Sequence, residues 1–282
     1  MTGAPHPAAL LKWYLEAGAD EAISETPQDR FAQSQVLQAR ALPAQAPETP
    51  PEPPPTAVKS SPPPTAAPKP ASKAPVTPIA ADAAASAAAC RTLDELVEAI
   101  HAFDGCALKE TAANTVIRDG NPQARLMVIG EAPGAEEDRR GLPFVGPAGT
   151  LLDRMLAAID LDRETVLITN IVFWRPPGNR NPSADEIAAC LPFARRQIEL
   201  VRPQVLVAVG GIAAKALFET SEGITRLRGK WRDYTSPSLE SPIAAMATFH
   251  PAYLLRQPLQ KREAWQDLLA IKAKLDETSA SA

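Results

Sequence analysis

The chain has 282 residues, 45% of them hydrophobic, with 30 prolines and a net charge of −4. That length fits one or two domains, and the charge excludes a generally basic nucleic-acid coat while leaving room for a local basic stripe. Three cysteines argue against a disulfide framework; no apolar run approaches membrane-spanning length and no secretory leader is evident, so a cytoplasmic location without membrane contact is the default expectation.

In chain order, residues 1–42 hold one helical pattern, with Leu10, Leu11, Tyr14 and Leu15 on one face. A lone helix is marginal in water, so it is expected to dock on the core or on a partner. Residues 43–89 are rich in Pro, Ala, Ser, Thr and Lys and read as a disordered linker, because they carry too little large apolar surface to offset ordering entropy. Residues 90–282 then form the compact domain. Four apolar runs, "ARLMVIG", "TVLITNIVF", "QVLVAVGG" and "IAAMATFHP", alternate with helix-like segments. Ser183 followed by Glu186 marks a capping-box start for the helix between the second and third runs. Strands alternating with helices predict a parallel sheet covered on both faces.

Polar residues cluster just past the carboxyl ends of these strands: Glu131, Asn170 and His250. Open α/β sheets bind ligands in that crevice, so the three are expected to share a pocket. The acidic stretch "GEAPGAEEDRRGLPFVG" is wrong for a phosphate cradle, since carboxylates repel bound phosphate. Phe144 within it offers a rigid stacking face or core filler, and Glu136 to Asp138 read as a solvated helix start. Arg175 and Arg180 in "WRPPGNRNP" and Arg228 in "RLRGKWR" suit a phosphate track. In "HPAYLLRQP", Leu254 and Leu255 are either core or an apolar wedge entering a DNA stack beside Arg256.

Taken together, "GEAPGAEEDRRGLPFVGPAGTLLDRML", "TNIVFWRPPGNRNP", "LRGKW" and "HPAYLLRQP" resemble, in the same order, the motifs of the uracil-DNA glycosylase superfamily, family 4 type. The resemblance spans roughly Phe103 to Leu275. It implies a three-layer αβα sandwich around a central four-stranded parallel sheet. It implies hydrolysis of the N-glycosidic bond of uracil in single- or double-stranded DNA, leaving an abasic site, by a monomer. Phe144 would stack on uracil, Asn170 would read its N3 and O4 edge, and His250 would sit near O2. Glu131 would position water, and Ala132 stands where relatives with "GQDPY" carry a water-handling Asp. The family usually holds a 4Fe–4S cluster through four cysteines; here only Cys106 and Cys190 keep those positions, with Phe103 and Trp174 at the other two. Neither cluster nor metal is therefore expected. Two rivals remain: a non-catalytic binder of uracil or abasic DNA on the same fold, and a carboxylate-metal hydrolase built on Glu131, Glu136 and Asp138.

Overall fold

The computed structural model describes residues 78–280. The N-terminal helix expected within 1–42, and residues 43–77 of the expected linker, lie outside them. Helices α1 (Pro78–Ala89) and α2 (Leu93–Ala102) come first, then β1 (Arg118–Gly120), β2 (Leu126–Gly130), α3 (Ala135–Arg140), α4 (Pro147–Ala157) and β3 (Val166–Asn170). They are followed by α5 (Ala184–Val201), β4 (Val205–Val209), α6 (Gly211–Phe218), β5 (Trp231–Tyr234), β6 (Ile243–Thr248), α7 (Pro251–Arg256) and α8 (Lys261–Ala280).

The end of the expected linker is corrected. Residues 78–89 form α1, which buries Ala83 and Ala87 and packs on α5. Alanine adds little apolar mass, so composition alone reads as unstructured. It is nevertheless the best helix former, and Pro at the first helical position costs nothing there. The capping box of α5 forms as expected: Glu186 N donates to Ser183 Oγ at 3.2 Å, and Ser183 N donates to the Glu186 carboxylate at 2.7 Å.

The sheet order is β1-β3-β2-β4-β6-β5. The inner four strands are parallel, as the alternation of strands and helices requires. Two antiparallel edge strands, β1 on β3 and β5 on β6, extend the sheet beyond the expected four. Both are short and only partly buried, so they lack the apolar run that reveals a central strand.

Period-two alternation divides the core. Met127, Ile129, Leu167 and Leu206 face α1, α2, α5 and α6 on one side. Leu126, Val128, Ile168, Val207 and Met246 face α4 and α8 on the other. The chain leaves β2 for β3 on one side of it and then crosses to β4 on the other. This reversal opens a crevice at the carboxyl ends of the strands.

Candidate active site

A cavity of about 400 Å³ occupies that crevice, lined by Glu131, Ala132, Phe144, Asn170, His250 and Arg256 among others. The three expected polar residues converge because each ends a parallel strand. Glu131 follows β2, Asn170 is the last residue of β3 opposite Gly130, and His250 caps α7 two residues after β6. Gly130 makes the convergence possible: a Cβ there would lie 2.4 Å from Asn170 Oδ1 and 2.5 Å from Phe144 Cζ. Only a glycine lets the amide and the ring approach the strand end together.

Phe144 has the left-handed backbone conformation, φ 53°, which is strained for a bulky residue. Its carbonyl accepts a hydrogen bond from the Arg163 guanidinium, which also donates to the Pro143 carbonyl at 3.1 Å. Arg163 is in turn held by Asp119 at 2.7 Å and Asp153 at 2.8 Å. Gly149 completes the socket, since a Cβ there would fall 1.7 Å from the Phe144 carbonyl oxygen. The ring ends up stacked near the imidazole of His250, with centroids 5.6 Å apart.

The acidic run turns out to be a brace. One oxygen of Glu137 accepts from Val145 N and Gly146 N at 3.0 and 2.8 Å, and the other from Gly134 N at 3.1 Å. Asp138 is buried and accepts from Ala113 N and Asn114 N. Glu136 pairs with Arg139. Glu137 thus closes the loop on itself and Asp138 ties it to residues 113 and 114, and among the described residues no group of three His, Cys, Asp or Glu side chains is placed to hold a metal ion. Of the carboxylates in the rival metal reading, Glu136 is engaged by Arg139 and Asp138 by the backbone of residues 113 and 114, which leaves Glu131 alone of the three at the pocket.

Burial raises the Glu131 carboxyl above its ordinary range. Burial, assisted by the Arg256 charge, pushes His250 down to about 4. His250 Nδ1 accepts a hydrogen bond from Ala252 N at 3.1 Å, so the neutral ring carries its proton on Nε2 as a donor.

The expected DNA contacts fare unevenly. Arg228 is corrected: it donates to Asp267 at 3.0 and 2.5 Å and to Glu263 at 2.8 Å, and its guanidinium lies 5.4 Å from the Phe249 ring centre. It clamps α8 to the sheet and is not free for phosphate. Leu254 is corrected too, being 1% exposed in the core, whereas Leu255 is 44% exposed. Arg180 is held by both oxygens of Glu186, and Arg175 by Asn179. Arg256 is exposed at the pocket. Sequence reasoning missed Arg163, Glu137 and Gly149, whose work is on backbone groups and carries no motif of its own.

The four cluster positions do not fit a 4Fe–4S group. Cys106 and Cys190 are hydrogen-bonded to each other, which lowers the Cys106 thiol and raises Cys190 well above the ordinary value. Phe103 is buried edge-on against Phe193, with centroids 5.0 Å apart. Trp174 is buried with Nε1 donating to Thr115 Oγ1 at 3.1 Å. Two thiolates remain where such clusters take four, and two aromatic rings fill the other places.

The family profile described as the Uracil DNA glycosylase superfamily matches residues 117–269. The chain is 39% identical over 186 residues to a type-4 uracil-DNA glycosylase of Sulfurisphaera tokodaii, covering 64% of this chain and 84% of that one. It is 39% identical over 184 residues to the type-4 enzyme of Archaeoglobus fulgidus, covering 64% and 92%. For the type-4 enzyme of Saccharolobus solfataricus the identity is 40% over 188 residues, covering 65% and 86%. With the matched span enclosing the whole sheet and its pocket, the chain belongs to the uracil-DNA glycosylase superfamily.

Proposed function

We propose that the chain is a monofunctional uracil-DNA glycosylase, acting as a monomer on uracil-containing DNA in base excision repair and leaving an abasic site. The observation that carries this reading is the convergence of Asn170, Phe144, His250 and Glu131 on one cavity at the reversal point of the sheet. A target base inside a duplex must be flipped out before its glycosidic bond is reachable. Phe144 then supplies a stacking face. The Asn170 amide offers a donor and an acceptor to the O4 and N3–H edge; cytosine presents the reverse pattern there.

The bond from C1′ of the sugar to N1 of uracil breaks with its electron pair leaving on the base. Neutral His250 donates from Nε2 towards O2, where the negative charge gathers. A preorganised donor of this kind contributes roughly a hundred- to a thousand-fold in rate. Water adds to C1′ and gives its proton to the Glu131 carboxylate; solvent reprotonates the uracil anion. None of these steps is routed through an iron–sulfur cluster, and we assign none to this chain, because its donor set does not fit one. The catalytic domain in this reading starts at Pro78, since α1 packs on α5.

Alkali-revealed cleavage of a labelled oligonucleotide with a single uracil, in EDTA, tests the reading. Uracil-dependent cleavage weakened by Asn170→Ala and by His250→Ala supports it. Binding without cleavage by the wild type would replace it with a DNA-binding role.

A further inference from the structure

Beside the base pocket lies a second, more open hollow of about 660 Å³. Its wall is built from the sequence neighbours of pocket-lining residues: Glu136 beside Glu137, Pro147 beside Ala148, Leu255 beside Arg256. The two hollows therefore share a ridge, made by the α3–α4 loop and the end of α7. Arg154 of α4 and Lys261 at the start of α8 line the second one. Both are exposed, and among the described residues neither forms an ion pair, unlike Arg163, Arg180 and Arg228. Their stems also line an apolar hollow beside Trp265, so the chains rest on apolar surface while the charged heads stay in water. The acid on the wall, Glu136, is already neutralised by Arg139.

We propose that this shelf holds the phosphates of the DNA strand that carries the target base, with Arg154 and Lys261 as its cationic contacts. The proposal rests on the glycosylase reading of the neighbouring pocket. An exposed leucine beside free cations matches what a kinked duplex presents: unstacked bases for the apolar wedge and phosphates for the cations. The common ridge places the backbone next to the flipped base. Asn179 and Arg180 line the base pocket itself, whereas Arg154 and Lys261 line the neighbouring hollow and not the pocket.

The test is the salt dependence of binding to a duplex carrying a stable tetrahydrofuran abasic analogue, measured by fluorescence anisotropy. Each phosphate contact contributes about 0.9 to the slope of log K against log salt, so Arg154→Gln combined with Lys261→Gln lowers the slope by about two and weakens binding roughly tenfold or more. Arg154→Lys combined with Lys261→Arg keeps the slope, and so does Lys215→Gln, which lines neither hollow. Single glutamine variants each lose about half the effect, which keeps the test open if the double variant fails to fold. An unchanged slope in the glutamine variants overturns the proposal. Wild-type uracil excision with an unchanged slope sinks the shelf alone. A reduced slope without excision keeps the shelf and sinks the glycosylase reading.

Discussion

Arg163 grips the carbonyl of Phe144 and fixes that residue in a left-handed backbone conformation, although the two are 19 positions apart in the chain. The ring proposed to stack on the base is thus set by a guanidinium that does not line the pocket. Arg163→Ala is expected to lower kcat/KM for uracil excision by roughly ten- to a hundred-fold, the scale of losing one or two charge-assisted hydrogen bonds. Arg163→Lys recovers part of the loss, because an ammonium cannot reproduce the fork. Steady-state kinetics on both variants, with the inhibition constant of free uracil as a second readout, checks this. Wild-type values for both would show that the ring needs no such anchor.

Gly130→Ala inserts a methyl group where Asn170 and Phe144 approach the strand end. Since the intruding contacts are the two side chains proposed to recognise the base, excision should fall by at least about a hundred-fold, comparable to removing a positioned donor. The strand itself stays paired to β3 and β4, so circular dichroism should remain that of the folded protein. Excision within a few-fold of wild type would remove Gly130 from the account of the pocket.

Two pH effects follow from the site. In the proposed role Glu131 must be ionised to take a proton, and burial raises it above the ordinary 4.5. The acid limb of kcat/KM should therefore lie above that value and disappear in Glu131→Gln. His250 is lowered from 6.5 to about 4 on folding, so the unfolded chain binds more protons between those limits. The stability contributed by neutral His250 is complete above pH 6.5 and lost as pH falls towards 4, by at most about 3 kcal/mol. Denaturant melts of wild type and His250→Gln across this window should diverge on the acid side in that direction.

The parallel sheet and the pocket were legible because buried strands are continuous apolar runs, and because the residues ending them are polar exceptions: Glu131, Asn170, His250. What stayed hidden acts through backbone or through small residues. Helix α1 hid in alanine, and nothing about Gly149, inside an expected helix, told of the Phe144 carbonyl packed against it. Arg228 and Arg180 read as free cations because sequence shows charge but not the carboxylate across the fold. Leu254 and Leu255 were inseparable in sequence; the rotation of about 100° between helical neighbours puts the first in the core and the second in solvent.

The thiol pair gives a chemical check. If Phe103 and Trp174 fill the two missing cluster positions, the purified protein should carry no stoichiometric iron and show no broad visible absorbance. Its uracil excision should withstand prolonged iron chelation. Replacing both aromatics, Phe103→Cys with Trp174→Cys, restores four thiols but removes two large buried rings. A loss of roughly 3–5 kcal/mol per ring is expected in the absence of iron. Brown wild-type protein with about four irons per chain would contradict the assignment, since it would require ligands other than the two remaining thiolates.

Arg228 separates stability from DNA affinity. Its guanidinium contacts Asp267, which is 2% exposed and also accepts from Thr248 Oγ1 at 2.8 Å, so the pair ties α8 to the end of β6. The ring of Phe249, next to His250, lies against the same guanidinium. Removing one partner of a buried pair leaves the other uncompensated, at a cost of about 3–5 kcal/mol. Asp267→Asn and Arg228→Gln should both lower the unfolding free energy on that scale in denaturant melts. Because Arg228 is occupied internally, the salt slope of DNA binding should not change in Arg228→Gln at temperatures where it remains folded. A slope reduced by about one, with stability intact, would return Arg228 to the phosphate track where its sequence context first placed it.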